Sequence, residues 1–402
     1  MVRLTKILIL LFCSFIVANG DEFRHKFNYF GNVTGSIISN DNYYIKNYHA
    51  NSVNTKFRFS PYSKLGFQST IYNDNTIFVI QTVLKKRDNT SKTITPELNW
   101  FNIKYRFNDT NTIKLGRMQT ALFLNSDSLD INYLHNLAKD KNIVYALIPM
   151  KFYDGIELSR KYNFNNFTIT STLIPYGKTK TNVYEFVKDG ILKVSDIKII
   201  SFDIQSDNFR LKTSYLDSYF SINIDDTNYI NLINNLENQG YDTTRYSYIK
   251  KHLQQYNIGI EYSFNNFTIT SEYTKFNNSN SLLPKTQAIY TMISYDIDNF
   301  RPYIMYSKNK NDKSHFNTQD ISNTNLEELL YTTNSSETTY SIGSRYEIRM
   351  GIALKLQLDK ITTKDYGINH NNTKHREGYT SRYVNTDEKP IYQLTFGISY
   401  AF

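Results

Sequence analysis

The chain has 402 residues, a formal net charge of +9, 40% hydrophobic residues and one cysteine, with 34 Tyr and 26 Phe against a single Trp. So many aromatic residues exclude an intrinsically disordered chain, and 15 Gly and one Cys exclude collagen-like and disulfide-scaffold classes. The one long apolar run, Ile7 to Val17, is far short of the roughly 20 residues a spanning helix needs, so a helical membrane protein is excluded as well.

At the N-terminus, Arg3 and Lys6 precede that apolar run, and Ala18-Asn19-Gly20 supplies the small residues a signal peptidase reads. A signal peptide over 1–20 is expected, cut after Gly20. Cys13 follows Phe12 inside the run, unlike a lipid-modified cysteine, and would leave with the signal. Without Arg3 and Lys6 the net charge falls to +7. The basic residues are dispersed, with one dense cluster at Lys85-Lys86-Arg87 and no nucleic-acid-binding signature, so nucleic acid is not expected as a partner.

Residues 21–402 read as alternating strands. Tyr256, Ile258, Ile260, Tyr262 and Phe264 share one face, as do Ile352, Leu354, Leu356 and Leu358, and again Tyr392, Leu394, Phe396, Ile398, Tyr400 and Phe402. A period of two cannot come from a helix, where residues two apart point to different faces. Short breaks carry turn chemistry at 73–75, 108–110, 165–166, 207–208, 265–266, 298–299 and 349–350. Long breaks fall near 39–54, 87–96, 119–151, 176–195, 218–250, 277–284, 309–337 and 362–389. Seven turns and eight loops join sixteen strands, which predicts an all-β transmembrane antiparallel barrel with short periplasmic turns and long extracellular loops. The octet starting at Phe164 recurs at Phe264 as strand, turn, strand, which is hairpin chemistry rather than a solenoid repeat. A soluble β-sandwich is the alternative, but its connections would not sort into alternating short and long sets. Aromatics flanking the turns, such as Tyr105, Phe107, Tyr162 and Phe164, suit a membrane-interface girdle.

If the apolar series faces lipid, the opposite series faces the lumen. It carries Lys56, Arg58, Lys104, Arg106, Lys114, Arg210, Lys212, Arg301, Arg345 and Lys355, against Glu157, Asp203, Glu261, Glu272, Asp296, Glu347 and Asp359. A positive bias would favour anions; mutual neutralisation of a solvated wall is the alternative. Arg160 falls on the lipid phase and is expected to snorkel or to sit beside a bulge. The loop over 119–151 holds Asp127, Asp130, His135, Lys139, Asp140 and Lys141 around apolar residues including Leu122, Phe123, Leu129 and Leu137. That much apolar surface favours folding inward as a constriction, although packing over the mouth or against another subunit is the alternative. The loop over 218–250, with Ile230 to Leu236 at helix-like spacing, competes for the role.

The strand count, the long third loop and Phe402 on an alternating last strand resemble Gram-negative outer-membrane porins. Leu115-Gly116-Arg117, Leu122-Phe123, Ser126-Asp127, Tyr145 and Tyr153-Asp154-Gly155 are similar to a segment of a γ-proteobacterial family of trimeric diffusion porins. That segment is richer in proline and tryptophan around Ala121 and 136–141, so a differently shaped constriction is expected. The resemblance implies a homotrimer, with outer-membrane lipid and lipopolysaccharide around it, and a role for Phe402 as the signal read by the barrel-assembly machinery. With the lumen reading, it nominates Arg58, Lys104, Arg106, Arg117, Asp127, Asp130, Arg210, Arg301 and Arg345 as pore or constriction residues.

No nucleophile elbow, zinc-protease helix, phosphate loop or dinucleotide fingerprint occurs, so no catalytic residue, cofactor or metal is expected. His370 and His375 read as solvated loop residues rather than metal ligands. Two functions remain: a porin for passive diffusion of small hydrophilic solutes or ions, possessing an anion preference, and a surface receptor or adhesin whose lumen is closed by its loops.

Overall fold

The computed structural model describes residues 23–38, 43–45, 57–59, 63–86, 94–139, 143–147, 150–182, 191–223, 227–278, 285–311, 336–364, 383–385 and 390–402. The expected signal peptide, Lys56, Asp140, Lys141, His370 and His375 lie outside the described residues. Strands are β1 Arg24–Ile38, β2 in two segments (Phe57–Phe59 and Lys64–Tyr72), β3 Thr76–Lys86, β4 Ile94–Arg106, β5 Asn111–Gln119, β6 Phe152–Asn163, β7 Thr168–Asn182 and β8 Ile191–Gln205. They continue as β9 Phe209–Asn223, β10 Lys251–Phe264, β11 Phe267–Asn278, β12 Thr286–Tyr295, β13 Phe300–Asn311, β14 Ser336–Arg349, β15 Ile352–Lys364 and β16 Ile391–Ala401.

Each strand pairs antiparallel with its neighbours in sequence, and β1 pairs with β16 from Phe30↔Ala401 to Ile38↔Gln393, which closes a sixteen-stranded barrel. Tyr29 N donates to Phe402 O at 2.8 Å, and Phe402 N donates to Tyr29 O at 2.7 Å. Closure leaves no edge, so every strand amide has a neighbour to bond, as a lipid-embedded wall requires.

All seven expected turns are present, and their residues explain them. Asn73 Oδ1 accepts from Thr76 N at 2.7 Å, and Asn108 Oδ1 accepts from Asn111 N at 2.8 Å, each side chain capping its own turn. Asn265 and Asp298 take φ near +50°, and Gly351 takes φ of 85°. The eight long connections are also present, but several are shorter than expected: β7 runs to Asn182 and β8 begins at Ile191, inside the expected break at 176–195. Outward residues at that end are polar (Lys178, Lys180, Lys193), and the alternation therefore reads as loop although the strands continue.

The outer wall is apolar and exposed: Leu354, Leu356 and Leu358 on β15 are all exposed, and the alternate Lys355, Gln357 and Asp359 are buried inside. At the turn end, Phe27, Tyr105, Phe107, Phe164, Tyr262, Phe264 and Phe300 form the girdle expected from the sequence. Arg160 points outward, its guanidinium 5.0 Å from the centroid of the Tyr162 ring, so it snorkels as anticipated.

The lumen departs from a simply polar lining. At the loop end, inward residues of β7 to β13, including Ile174, Leu192, Ile199, Leu216 and Phe220, form an apolar core inside the barrel. It is filled by Leu122, Phe123, Val144 and Tyr145 of the connection between β5 and β6, and by Leu236 of helix α1 (Thr227–Asn238). The 119–151 segment therefore folds into the lumen, and the helix read from Ile230 to Leu236 joins it there.

Candidate functional site

Three sets of contacts fix the 119–151 segment (hereafter the inner loop) across the lumen. On one side, Leu122 O accepts from Ser214 Oγ at 2.7 Å and from Asn257 Nδ2 at 3.1 Å, and Leu124 N donates to Glu272 Oε2 at 2.5 Å. These partners lie on β9, β10 and β11. Opposite them, Asp130 accepts from Lys64 Nζ of β2 at 3.2 Å and from Asn99 Nδ2 of β4 at 2.6 Å, and Lys151 Nζ lies 3.5 Å away. Burial pushes the Asp130 carboxyl up, but Lys151, Lys64 and Lys85 outweigh it and hold it well below the usual carboxylate range.

The third set is on β14 and β15. Lys355 Nζ donates to Asn132 Oδ1 at 2.8 Å and to Leu137 O at 3.2 Å, Ala138 N donates to Gln357 Oε1 at 3.2 Å, and Lys139 pairs with Asp359. Tyr133 donates to Glu347 at 2.7 Å and packs its ring under Arg345, 4.9 Å from the guanidinium carbon. Arg301 also reaches the inner loop, at Asn136 Oδ1, 3.4 Å away.

Toward the turn end the lumen surface is charged and partly exposed. Lys104 and Lys114 are cross-strand partners on β4 and β5; Lys114 pairs with Glu157 at 2.7 Å, and Arg106 stands exposed one inward position nearer the turn. Arg210 is held by Asp203 in a two-pronged pair at 3.1 and 2.7 Å, Arg301 is held by Asp296, and Arg345 is held by Glu347 at 3.0 Å. Asp127 is an exposed carboxylate of the inner loop, within electrostatic reach of Lys104, Lys114 and Arg210. An acidic group on a fixed loop facing a basic wall sets a transverse field across whatever passes between them.

Of the expected constriction residues, Lys104, Arg106, Asp127 and Arg210 meet around this gap, while Arg301 and Arg345 are inward but are spent on acidic neighbours and on the inner loop. Arg58 sits opposite Ser36 in the register, and its side chain lies outside the described residues. Two expectations are corrected. Asp130 is 5% exposed and serves as an anchor for the loop, because three lysines and Asn99 enclose it. Arg117 shares the outward phase of Leu115; it forms a two-pronged pair with Asp154 at 2.7 and 2.9 Å and covers the Phe152 ring on the outer wall. The alternation itself carried the signal for Arg117, since Leu115 two residues earlier is apolar and outward. Lys64, Asn99, Tyr133 and Lys151 hold the loop without having been singled out, and no local pattern pairs Lys64 with a residue 66 positions away.

The architecture is therefore that of an outer-membrane-type sixteen-stranded β-barrel carrying an internal loop. Solved structures share it over nearly their full length. The outer membrane channel DcaP of Acinetobacter baumannii is similar with a TM-score of 0.57 at 9% identity, covering 96% of this chain and 99% of that one. The anion-selective porin from Comamonas acidovorans is similar with a TM-score of 0.54 at 12% identity, covering 95% and 100%. OmpT, an outer membrane protein of Vibrio cholerae solved in a trimer form, is similar with a TM-score of 0.55 at 11% identity, also covering 95% and 100%. No family model matches the sequence, and neither does any curated protein.

Proposed function

We propose that the protein is an outer-membrane channel through which small hydrophilic solutes diffuse passively, preferring anions, and that it is not an enzyme. The observation that carries this reading is the exposed Asp127 on a loop fixed inside a closed barrel, facing Lys104, Arg106 and Arg210. Basic groups outnumber acidic ones around that gap, so the field there favours anions over cations of equal size. Neighbours titled as an outer membrane channel and an anion-selective porin support the assignment, and the trimer form of a third supports a homotrimer in the outer membrane. Export by the 1–20 signal and recognition of Phe402 by the barrel-assembly machinery complete the proposal, with lipopolysaccharide and lipid surrounding the wall.

Purified, folded protein in planar bilayers is expected to give stable conductance steps with an anion-directed reversal potential in a salt gradient. Replacing Lys104 and Arg106 by Glu should move that potential toward cation selectivity. A folded sample that inserts without conducting would remove the channel reading.

The apolar core that the inner loop and α1 build inside the barrel favours a second reading, a surface receptor or adhesin with a closed lumen. The two separate on loop deletion: removing 120–139 raises conductance sharply from a closed barrel, but only modestly from one already open.

A further inference from the structure

Beyond the channel, we propose that the outer wall from β7 to β15 binds a phosphate-bearing, multiply acylated lipid of the outer leaflet, through a belt of lysines standing above a tyrosine girdle. The proposal rests on the outer-membrane reading of the barrel and adds a partner to its outer face.

The belt follows from register. On β7, Lys178 and Lys180 share the outward phase of exposed Tyr176; on β8, Lys193 lies opposite Lys180, and Lys198 lies two residues from exposed Ile200. Lys275 on β11 lies opposite Tyr256. Lys308 and Lys310 on β13 continue the phase of Ile304 and Tyr306, and Lys360 on β15 lies between Tyr340 and Tyr392. None of these eight lysines has an ion pair among the described residues.

Their height is what gives the belt a ligand. A strand rising ~3.3 Å per residue at a tilt of ~40° climbs roughly 2.5 Å per residue, so an apolar band of ~25 Å ends roughly ten residues above the turns. The outward tyrosines Tyr215, Tyr256, Tyr306, Tyr340 and Tyr392 stand at that level, and the lysines stand level with them or just beyond. Cations placed in a headgroup layer, unpaired by protein carboxylates, are complementary to phosphate. Among the described outward residues at the same level on β1 to β4, Ile37, Leu65, Leu84 and Leu98 are apolar, so the belt is confined to one sector of the wall.

Within that sector the wall has a groove of about 480 Å³, with Ile293, Ile304, Ile342 and Leu358 at its floor and Lys360 and Tyr392 at its rim. Its apolar floor runs toward the bilayer centre beneath an exposed ammonium, which matches an acyl chain hanging from an anionic headgroup.

The test is native mass spectrometry of the delipidated, refolded protein with diphosphoryl lipid A, using a phosphatidylcholine of similar chain length as control. Retention of lipid A over phosphatidylcholine is expected, and the K308Q/K310Q/K360Q variant should lose affinity roughly 100-fold, at about 1 kcal/mol for each lysine near the surface. Ile304→Trp, which fills the groove and leaves the lysines, should weaken retention too. Equal binding of both lipids, unchanged binding by the triple variant, or displacement of lipid A by millimolar inorganic phosphate overturns the inference. If those results come from protein that still conducts in bilayers, the channel reading stands and only the lipid site falls.

Discussion

Replacing Asp130 by Ala removes the carboxylate that Lys64, Asn99 and Lys151 enclose. Asp130 and Lys64 are each about 5% exposed, so the variant leaves a buried ammonium without its counter-ion. Breaking a buried pair from one side costs about 3–5 kcal/mol, enough to shift the docking equilibrium of the inner loop roughly a hundred- to several-thousandfold toward release. The strand ladders do not pass through Asp130, so the barrel should keep its heat-modifiable electrophoretic shift. The expected result is noisy, enlarged conductance steps and new protease cleavage between 120 and 139. A double variant, Lys64→Met with Asp130→Leu, exchanges the pair for apolar volume and should restore most of the quiet behaviour. The pH dependence has a definite sign: a carboxyl depressed in the docked loop and ordinary in the released loop strengthens docking above about pH 4, and that contribution disappears as pH falls through the docked value. Asp130→Ala protein with wild-type step height, noise and protease resistance would refute the anchoring role.

Asp127→Asn removes the exposed acid opposite the basic wall, so the reversal potential should move further toward anions; a shift toward cations contradicts the geometry. Arg117→Ala should leave ion selectivity unchanged because the side chain is on the outer wall, and a changed reversal potential would place it in the pore after all. Gly351→Val forces a branched side chain into φ of 85°, with its Cβ 2.7 Å from Ala401 O, and should destabilise the last hairpin by about 1–2 kcal/mol in urea titrations of the refolded barrel. Lys355→Met leaves the carbonyls of Asn132 and Leu137 without their donor and should loosen the inner loop by about 1–3 kcal/mol, seen as protease sensitivity.

The barrel was legible because its determinants are local. A period of two needs only the neighbouring residues, and turns at Asn73, Asn108 and Asn265 announce themselves through side chains that cap the backbone or tolerate positive φ. The expected break at 176–195 was too wide for an equally local reason: once the outward face leaves the apolar band, Lys178 and Lys193 replace leucine and tyrosine, and the contrast between faces reverses. Arg117 was misplaced because its place in a family-like segment was weighed above its own phase. Asp130 was misplaced because its surroundings come from β2, β4 and the start of β6, and nothing within a few residues of it reports that three lysines converge there.

The interior combines two demands that oppose each other. An inner loop that must stay in place inside a water-filled barrel needs apolar burial, supplied on the β7 to β13 side by residues such as Ile174, Leu216 and Tyr290. A solute path needs exposed charge, which lies toward the turn end, where Lys104, Arg106 and Arg210 keep contact with water. Placing the apolar core at the loop end and the charges toward the turn end satisfies both, and it makes the inner loop the element whose position sets the bore. Conductance should therefore respond more to the anchors Asp130 and Lys355, neither of which touches solute, than to neutralising an already paired residue such as Arg345. If Arg345→Gln alters step height more than Asp130→Ala does, the bore is set by the charged wall rather than by the loop.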